Sequence, residues 1–511
     1  MFHDMTLVRA FDVEAGNLQR QGQLALWVPS HGQEAAQVGS AVATRPQDHV
    51  FPSYREHAVG FVRGIDLMNV IRLLRGVTHG GWDPKDPRNG NFHLYTLVIG
   101  SQALHATGYA MGIALDGASG TGDPSADQAA IVYFGDGATS QGDVSEAFVF
   151  AASYQTPQVF FLQNNHWAIS VPVSRQSRTP LFHRGTGFGI PSVQIDGNDV
   201  LASYAVTAKN LDEARAGRAL PDVFALAGCR RRVLRRGRRR GEGLRRGHPA
   251  PHARARVPAG RAHVRERLHR RTPVDGRAVR LARTLRGEPR RGRRTMTDTT
   301  ATRTPTQSEL ATMPMAKALN AGLDAALAAD DRVLLMGEDI GTLGGVFRVT
   351  EGLQKTYGQN RVLDTPLAES GIVGSAIGLA MRGFRPVCEI QFDGFIFPGF
   401  DQITSQLAKL TNRHEGNQAF PVVIRVPYGG HIGAVEHHQE SPEAYFAHTA
   451  GLRSVSPSTP HDAYWMIREA IASNDPVMFF EPKSRYWQKG AVDLSSSSVP
   501  LHASRVVRVG S

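Results

Sequence analysis

Cysteine is nearly missing from this chain, with two residues, Cys229 and Cys388, in 511. So few thiols in so long a chain exclude a disulfide-built secreted scaffold and fit a reducing, cytoplasmic setting. Also missing is any apolar run long enough to cross a bilayer, and the opening MFHDMTLVRAFDVEAGNLQRQ lacks an apolar signal-type core. Membrane insertion and secretion are therefore not expected. A third shortage is local. From Cys229 through Thr295 there is no Ile, Phe, Tyr, Lys or Asn, while Arg230 to Arg294 holds 25 arginines against four acids. That excess is larger than the whole chain's formal charge of +12, so the remaining sequence is mildly acidic. The absent residues are those that AT-rich codons specify, and the abundant Arg, Ala, Gly and Pro are specified by GC-rich ones. The expectation is a GC-rich gene read out of frame, from near Arg218–Cys229 to just before Met296. The alternative is a genuine basic, disordered linker that binds nucleic acid, although it has neither lysine nor interleaved aromatics. Outside this segment nothing points to nucleic acid as a partner.

What is present is two ordinary globular stretches. Single cores stop growing near about 250–300 residues, so 511 residues imply more than one domain. The expected divisions are 1–217, an irregular Arg-rich segment with a polar leader over 218–306, and 307–511. Both ordered stretches alternate short apolar runs with helical patterns, the signature of α/β domains built on parallel sheets.

The clearest unit is Ala129 to Ser170, AAIVYFGDGATSQGDVSEAFVFAASYQTPQVFFLQNNHWAIS. Ile131 to Phe134 reads as a buried strand broken by Gly135-Asp136-Gly137. Ser145 to Tyr154 has helical spacing, and Val159 to Leu162 reads as a second buried strand. Strand, helix and strand at this length imply parallel neighbours joined by a right-handed crossover. Asp136 and Asn165 then both stand at carboxyl ends of strands, where open parallel sheets bind ligands. A carboxylate and an amide oxygen meeting there suit a hard cation such as Mg²⁺ or Ca²⁺, shared with phosphate oxygens. The flanking glycines let backbone N–H groups come close to a diphosphate. Elsewhere, Tyr54 and Arg55 stand out at the end of an apolar stretch, and arginine suits bidentate phosphate contacts.

The second stretch, resuming near Ala311, offers a strand from Arg332 to Gly337, the loop and Gly/Ala-rich helix DTPLAESGIVGSAIGLAMRG, and the strand RPVCEIQF. PGFDQITSQLAKLTNRH is expected to be one amphipathic helix. It is followed by the strand PVVIRVP and a His-rich loop, GGHIGAVEHHQESPEAYFAHT.

The interval between GDG and the pair Asn164-Asn165, 26 residues from Ala138 to Gln163, resembles the thiamine-diphosphate fingerprint. With SYREH, GEDIG, DTPLAESG, EIQFDGFIFPGFDQI and HHQESPEAYFAH, the chain resembles the thiamine-diphosphate-dependent component of 2-oxoacid dehydrogenase complexes. Residues 1 to about 217 resemble its α subunit, and about 307 to 511 the pyrimidine-binding domain of its β subunit. The fold implied is two such parallel-sheet domains, pyrophosphate-binding then pyrimidine-binding. EIQFDGFIFPGFDQI and HHQESPEAYFAH are more similar to the branched-chain enzymes than to the pyruvate enzymes.

By that resemblance, Asp136, Asn165 and the carbonyl of Trp167 would hold Mg²⁺. Gly135, Gly137, Ala138, Tyr54 and Arg55 would serve the diphosphate, and backbone near Ile99 would face the aminopyrimidine. Glu369 would hydrogen-bond the pyrimidine ring nitrogen, so that the cofactor's own amino group can act as base, and Phe395 would pack on that ring. Read locally, Glu369 is also a plain first-turn carboxylate. His438 would manage protons in acyl transfer to a lipoyl group, with His437 as runner-up, His448 structural and His57 facing the same channel. The partners implied are a 2-oxoacid, a lipoylated acyltransferase and a second copy of the fused chain. Three features depart from the family pattern: the α-like half begins late, it runs into the Arg-rich segment, and the β-like half is expected to lack its C-terminal domain. An inactive, partly folded product is therefore the second expectation.

Overall fold

The apolar runs become strands because nothing polar interrupts them. Ile131 to Phe134 and Val159 to Leu162 are all fully buried, as expected of parallel strands covered on both faces. The computed structural model describes residues 1–217, 226–228, 310–430, 432–433, 437–497, 500–501 and 503. The segment read as out of frame, from near Arg218–Cys229 to just before Met296, lies outside the described residues, apart from the short strand Leu226–Gly228.

The first half carries β1 (His49–Phe51), β2 (Ala130–Gly135), β3 (Gln158–Asn164), a small antiparallel hairpin of β4 (Trp167–Ala168) and β5 (Val171–Pro172), β6 (Gln194–Ile195) and β7 (Leu226–Gly228). Its sheet has the order β1-β2-β3-β7-β6, parallel throughout. β7 lies beyond residue 217. A short helix, His183–Gly187, precedes the two-residue β6.

The second half carries β8 (Leu310–Pro314), β9 (Val333–Gly337), β10 (Val362–Asp364), β11 (Arg385–Glu389), β12 (Val423–Tyr428), β13 (Arg453–Val455), β14 (Val477–Pro482) and β15 (Lys489–Asp493). Six of these form a parallel sheet ordered β10-β9-β11-β12-β14-β13, and β8 pairs antiparallel with β15. The expected single helix over PGFDQITSQLAKLTNRH is three pieces. A 3₁₀ segment Asp393–Gly399 contains Pro398, which cannot donate to a continuing helix. A π-helical stretch Gln402–Leu407 follows, then the α-helix Ala408–Arg413. Gln402 and Gln406 are both fully buried there, so the wider turn lies where two amides are held in the interior.

The halves meet through two Gly/Ala-rich helices, Ser101–Leu115 and Glu369–Met381. A Cβ at Gly108 would lie 1.8 Å from the carbonyl oxygen of Ser375, and one at Gly378 2.0 Å from that of His105. Backbone therefore rests on backbone, which only glycine allows. One apolar core runs through both halves, from Val132 and Phe150 to Ile372, Ile377 and Phe480. A second, including Leu319, Leu335, Ile467 and Phe479, lies within the second half.

Candidate active site

Asp136 opens a 3₁₀ turn, Asp136–Ser140, immediately after β2, and Asn165 follows β3. The two meet directly, since the Asp136 carboxylate accepts the backbone N–H of Asn165, and its Oδ2 accepts Nε2 of Gln176 at 3.3 Å. Asp136 is 1% exposed, and burial pushes its pKa up against those hydrogen bonds. This carboxylate has amide donors but no charged partner among its hydrogen bonds, as a cation ligand should. Oδ1 of Asn165 accepts the backbone N–H of Trp167 at 2.9 Å, shaping the turn into the β4–β5 hairpin. His166 and Ile169 take left-handed backbone, φ 69° and 56°, so the hairpin folds back over the 3₁₀ turn. A Cβ at Gly137 would come within 2.8 Å of Ala168 Cβ, so the hairpin closes only over glycine.

These tips form one wall of a cavity of about 410 Å³. Tyr54 and Arg55 line it from the segment after β1, and Ile99 from the loop before the Ser101 helix. Gly135, Asp136, Gly137 and Ala138 line it from the β2 turn, and Asn165 and Trp167 from beyond β3. The first-half residues expected to hold the ion, the diphosphate and the aminopyrimidine are therefore at one place. A diphosphate-bearing cofactor with a divalent ion fits this donor set, which joins glycine backbone and an arginine to a buried carboxylate and an amide oxygen. Among the described residues no three His, Cys, Asp or Glu side chains gather as a metal cage. A cation at Asp136 would thus depend on amide and carbonyl oxygens for its remaining protein ligands.

The cavity also holds residues that the sequence did not single out. Gln33 and Gln102 line it, and Oε1 of each is buried without a hydrogen-bond partner. Glu56 is fully buried, takes the backbone N–H and hydroxyl of Ser53 at 2.7 and 2.8 Å, and accepts Gln163 Nε2 at 2.6 Å. Burial raises its pKa. Glu56 was legible as part of SYREH; isolated glutamines carry no motif. His57 is a correction. It does not face the cavity but stacks on Trp27 at 4.3 Å, with Nδ1 on the Tyr95 hydroxyl and Nε2 on the Val28 carbonyl. Burial lowers its pKa to about 4 and keeps it a neutral core residue.

From the second half, Glu369 and Phe395 are not lining residues of this cavity. Glu369 is the first residue of the helix that crosses Ser101–Leu115, whose preceding residue, Gly100, does line it. Ser370 next to it donates to Asp143 at 2.7 Å, and Gln402 donates to the same carboxylate at 2.9 Å. Around Glu369 runs a row of acids that crosses between the halves. Burial, with Asp143 and Glu369 nearby, pushes Glu146 up to about 7. Burial and the charge of Glu369 push Glu338 up to about 7 as well. Glu146 Oε2 and Glu338 Oε1 are buried without a partner. Phe395 meets the His438 ring edge-on at 5.1 Å, and Phe392 meets it at 4.5 Å. His437 is exposed in left-handed backbone, φ 68°, and His448 is exposed at the end of the Glu443–Ala447 helix.

Residues 3–223 match the model of the dehydrogenase E1 component, and residues 311–488 match that of the transketolase pyrimidine binding domain. The chain carries both domains, in that order. The E1-type domain is 47% identical over 219 residues to the 3-methyl-2-oxobutanoate dehydrogenase subunit alpha of Mycobacterium tuberculosis, covering 42% of this chain and 56% of that protein. The pyrimidine-type domain is 75% identical over 198 residues to the pyruvate dehydrogenase E1 component subunit beta of Leifsonia xyli, covering 39% of this chain and 59% of that protein. It is 56% identical over 198 residues to the 3-methyl-2-oxobutanoate dehydrogenase subunit beta of M. tuberculosis, covering 39% of this chain and 57% of that protein. The chain thus spans little more than half the length of these relatives. A transketolase from Leishmania mexicana shares the fold, with TM-score 0.58, 13% identity, and coverage of 91% of this chain and 78% of that one. Both domains are the parallel-sheet α/β units expected, in a transketolase-like fold.

Proposed function

We propose that this chain catalyses oxidative decarboxylation of a branched-chain 2-oxoacid with thiamine diphosphate and Mg²⁺, working in the cytoplasm with a lipoylated acyltransferase. The observation that carries the reading is the single cavity at the tips of β2 and β3, lined from four separate segments by Tyr54, Arg55, Ile99, Gly135–Ala138, Asn165 and Trp167. The E1-type and pyrimidine-type domains support it. The overall change is one 2-oxoacid, one lipoyl disulfide and one proton giving carbon dioxide and an acyl thioester beside a free thiol.

Asp136, Asn165 and the Trp167 carbonyl would hold the magnesium ion, and the backbone N–H groups at Gly137 and Ala138, with Tyr54 and Arg55, would grip the diphosphate. Bound there, the cofactor supplies an electron sink for the carbon that loses carbon dioxide. Glu369 would hold a proton at the pyrimidine ring nitrogen, with Phe395 against that ring. Glu146 and Glu338, raised toward neutrality, can exchange protons with water near pH 7. His438 would deliver a proton to the lipoyl sulfur that leaves as thiol. We assign 1–217 to the diphosphate half and 307–511 to the pyrimidine half, with two fused chains pairing as a homo-oligomer.

Pyruvate is the second candidate substrate, favoured by the 75% identity to the Leifsonia pyruvate dehydrogenase E1 component subunit beta. Steady-state turnover of 3-methyl-2-oxobutanoate and of pyruvate, with a lipoyl acceptor, ranks the two. Equal kcat/KM values defeat the branched-chain preference. Calorimetric titration of the full chain with thiamine diphosphate and Mg²⁺ tests the rest, and no detectable heat favours an inactive product.

A further inference from the structure

A buried ammonium group lies under the histidine assigned to acyl transfer. Lys483 directly follows β14, and both it and Asp393 have fully buried side chains. Lys483 Nζ donates to Asp393 Oδ2 at 2.7 Å and also to the backbone carbonyl oxygen of His438. The other Asp393 oxygen accepts the backbone N–H of Gly394 at 2.9 Å, and that N–H also reaches the carbonyl of His437 at 3.2 Å. A Cβ on Gly394 would lie 2.5 Å from the same His437 oxygen, so the two segments touch backbone to backbone. Lys483 Nζ lies 5.5 Å from the centre of the Phe392 ring, the ring that also packs against His438.

Between β12, which ends at Tyr428, and the helix that starts at Glu443, the chain forms no strand or helix among its described residues. A side chain that must meet substrate needs its backbone fixed, because a displacement of about 1 Å can cost a factor on the order of 10² in rate. A fully buried ammonium is costly to solvate poorly, so it is kept only where partners compensate it. Here the compensating carboxylate holds Phe392–Phe395 and the compensating carbonyl belongs to His438. The same group therefore ties the histidine to the aromatic segment it packs on.

We infer that Lys483 is a positioning residue for His438: through Asp393 and the His438 carbonyl it fixes the His438 ring against Phe392 and Phe395 for reductive acyl transfer to one sulfur of the lipoyl disulfide, the other sulfur leaving as thiol. The inference rests on the proposed role of His438 and adds what holds that residue in place. Its test uses the full chain and variants that remove Lys483 and Asp393 together, so that no buried charge is stranded. In Lys483→Met/Asp393→Asn, hydrogen exchange at the 437–440 amides of the cofactor-free chain should rise at least tenfold. Lipoyl-dependent kcat should fall at least tenfold, while KM for the 2-oxoacid stays within twofold. Lys483→Gln/Asp393→Asn, which restores a neutral donor, should recover most of both losses. Unchanged exchange, or a loss that the glutamine variant does not recover, overturns the inference. His438→Asn separates the two levels. If it turns over lipoyl acceptor normally, the assigned role of His438 falls and the inference with it. If it is impaired while the Lys483 variants behave like the native chain, only the inference falls.

Discussion

At the scale of single residues, the decisive group is the Asp136 carboxylate, buried and held by amide donors. Asp136→Asn keeps the shape and removes the charge, so Mg²⁺-dependent binding of thiamine diphosphate should weaken on the order of 100-fold. Tm should hold or rise, because the desolvation of a buried charge disappears. Calorimetric titration beside a melting curve reads both, and unchanged affinity would remove Asp136 from the ion site. Glu146 makes a pH-dependent prediction. Its folded pKa is raised to about 7 by burial and neighbouring acids, above the ordinary carboxyl value of 4.5. The folded chain therefore binds the proton more tightly than the unfolded chain. This contribution is fully present below pH 4.5 and is lost as pH rises through about 7. Glu146→Gln should accordingly raise Tm at pH 8 relative to the native chain and narrow the gap at pH 5. An equal Tm change at the two pH values would contradict the assigned burial. What the sequence revealed at this scale was what short-range pattern encodes: Gly135-Asp136-Gly137 and Asn164-Asn165 announce themselves by composition and interval. Gln33 and Gln102 could not be read, since their burial depends on contacts distant in the chain. His57 was misjudged for the same reason, because Trp27, Val28 and Tyr95, which enclose it, lie about thirty to forty residues away.

At the scale of elements, the crossing of Ser101–Leu115 with Glu369–Met381 fixes where the acids of one half stand against the other. Glycine makes the approach possible, and a methyl group at Gly378 would meet the His105 carbonyl at 2.0 Å and the Tyr109 nitrogen at 2.5 Å. Both obstacles are backbone and cannot rotate away. Gly378→Ala should destabilise the chain by about 3 kcal/mol or more, at or above the usual range for overpacking, despite the better helix propensity of alanine. Gly16, which has nothing within 4 Å of a built Cβ, is the control, and Gly16→Ala should be neutral or stabilising. Denaturant midpoints of the two variants check this, and similar midpoints would sink the close-crossing account. Sequence reading found the second of these helices by its small residues, but not what it faces, because hydrophobic period says which residues are buried and not against what. It also missed the π-helical stretch Gln402–Leu407, where a 3.6-residue pattern was expected to continue. There Gln402 reaches His105 at 2.9 Å and Asp143 at 2.9 Å, contacts across the chain that outweigh the local pattern.

At the scale of the whole molecule, Met1–Arg231 and Ser308–Ser511 form one compact unit whose main core draws on both halves. Ion pairs bind the seam as well. Arg332 and Arg382 of the second half reach Asp116 of the first at 2.6 and 2.8 Å, and Arg332 lies 3.7 Å over the Phe384 ring. The pairs alone are partly exposed and weak, whereas the shared core, with Ala106, Tyr109 and Ala110 packed among Ala376, Ile377 and Ala380, is large and apolar. Association of the halves should therefore survive loss of the covalent connection between them. With a specific protease site inserted between Arg232 and Gln307, cleavage should leave both fragments eluting together at native size. They should separate only in denaturant, and raising NaCl to 1 M should not part them, because salt screens the ion pairs and leaves apolar contact intact. If the fragments elute apart in dilute buffer, the halves are held by the chain and not by their contact. Glu146 and Glu369 would then lose the interface that brings them together.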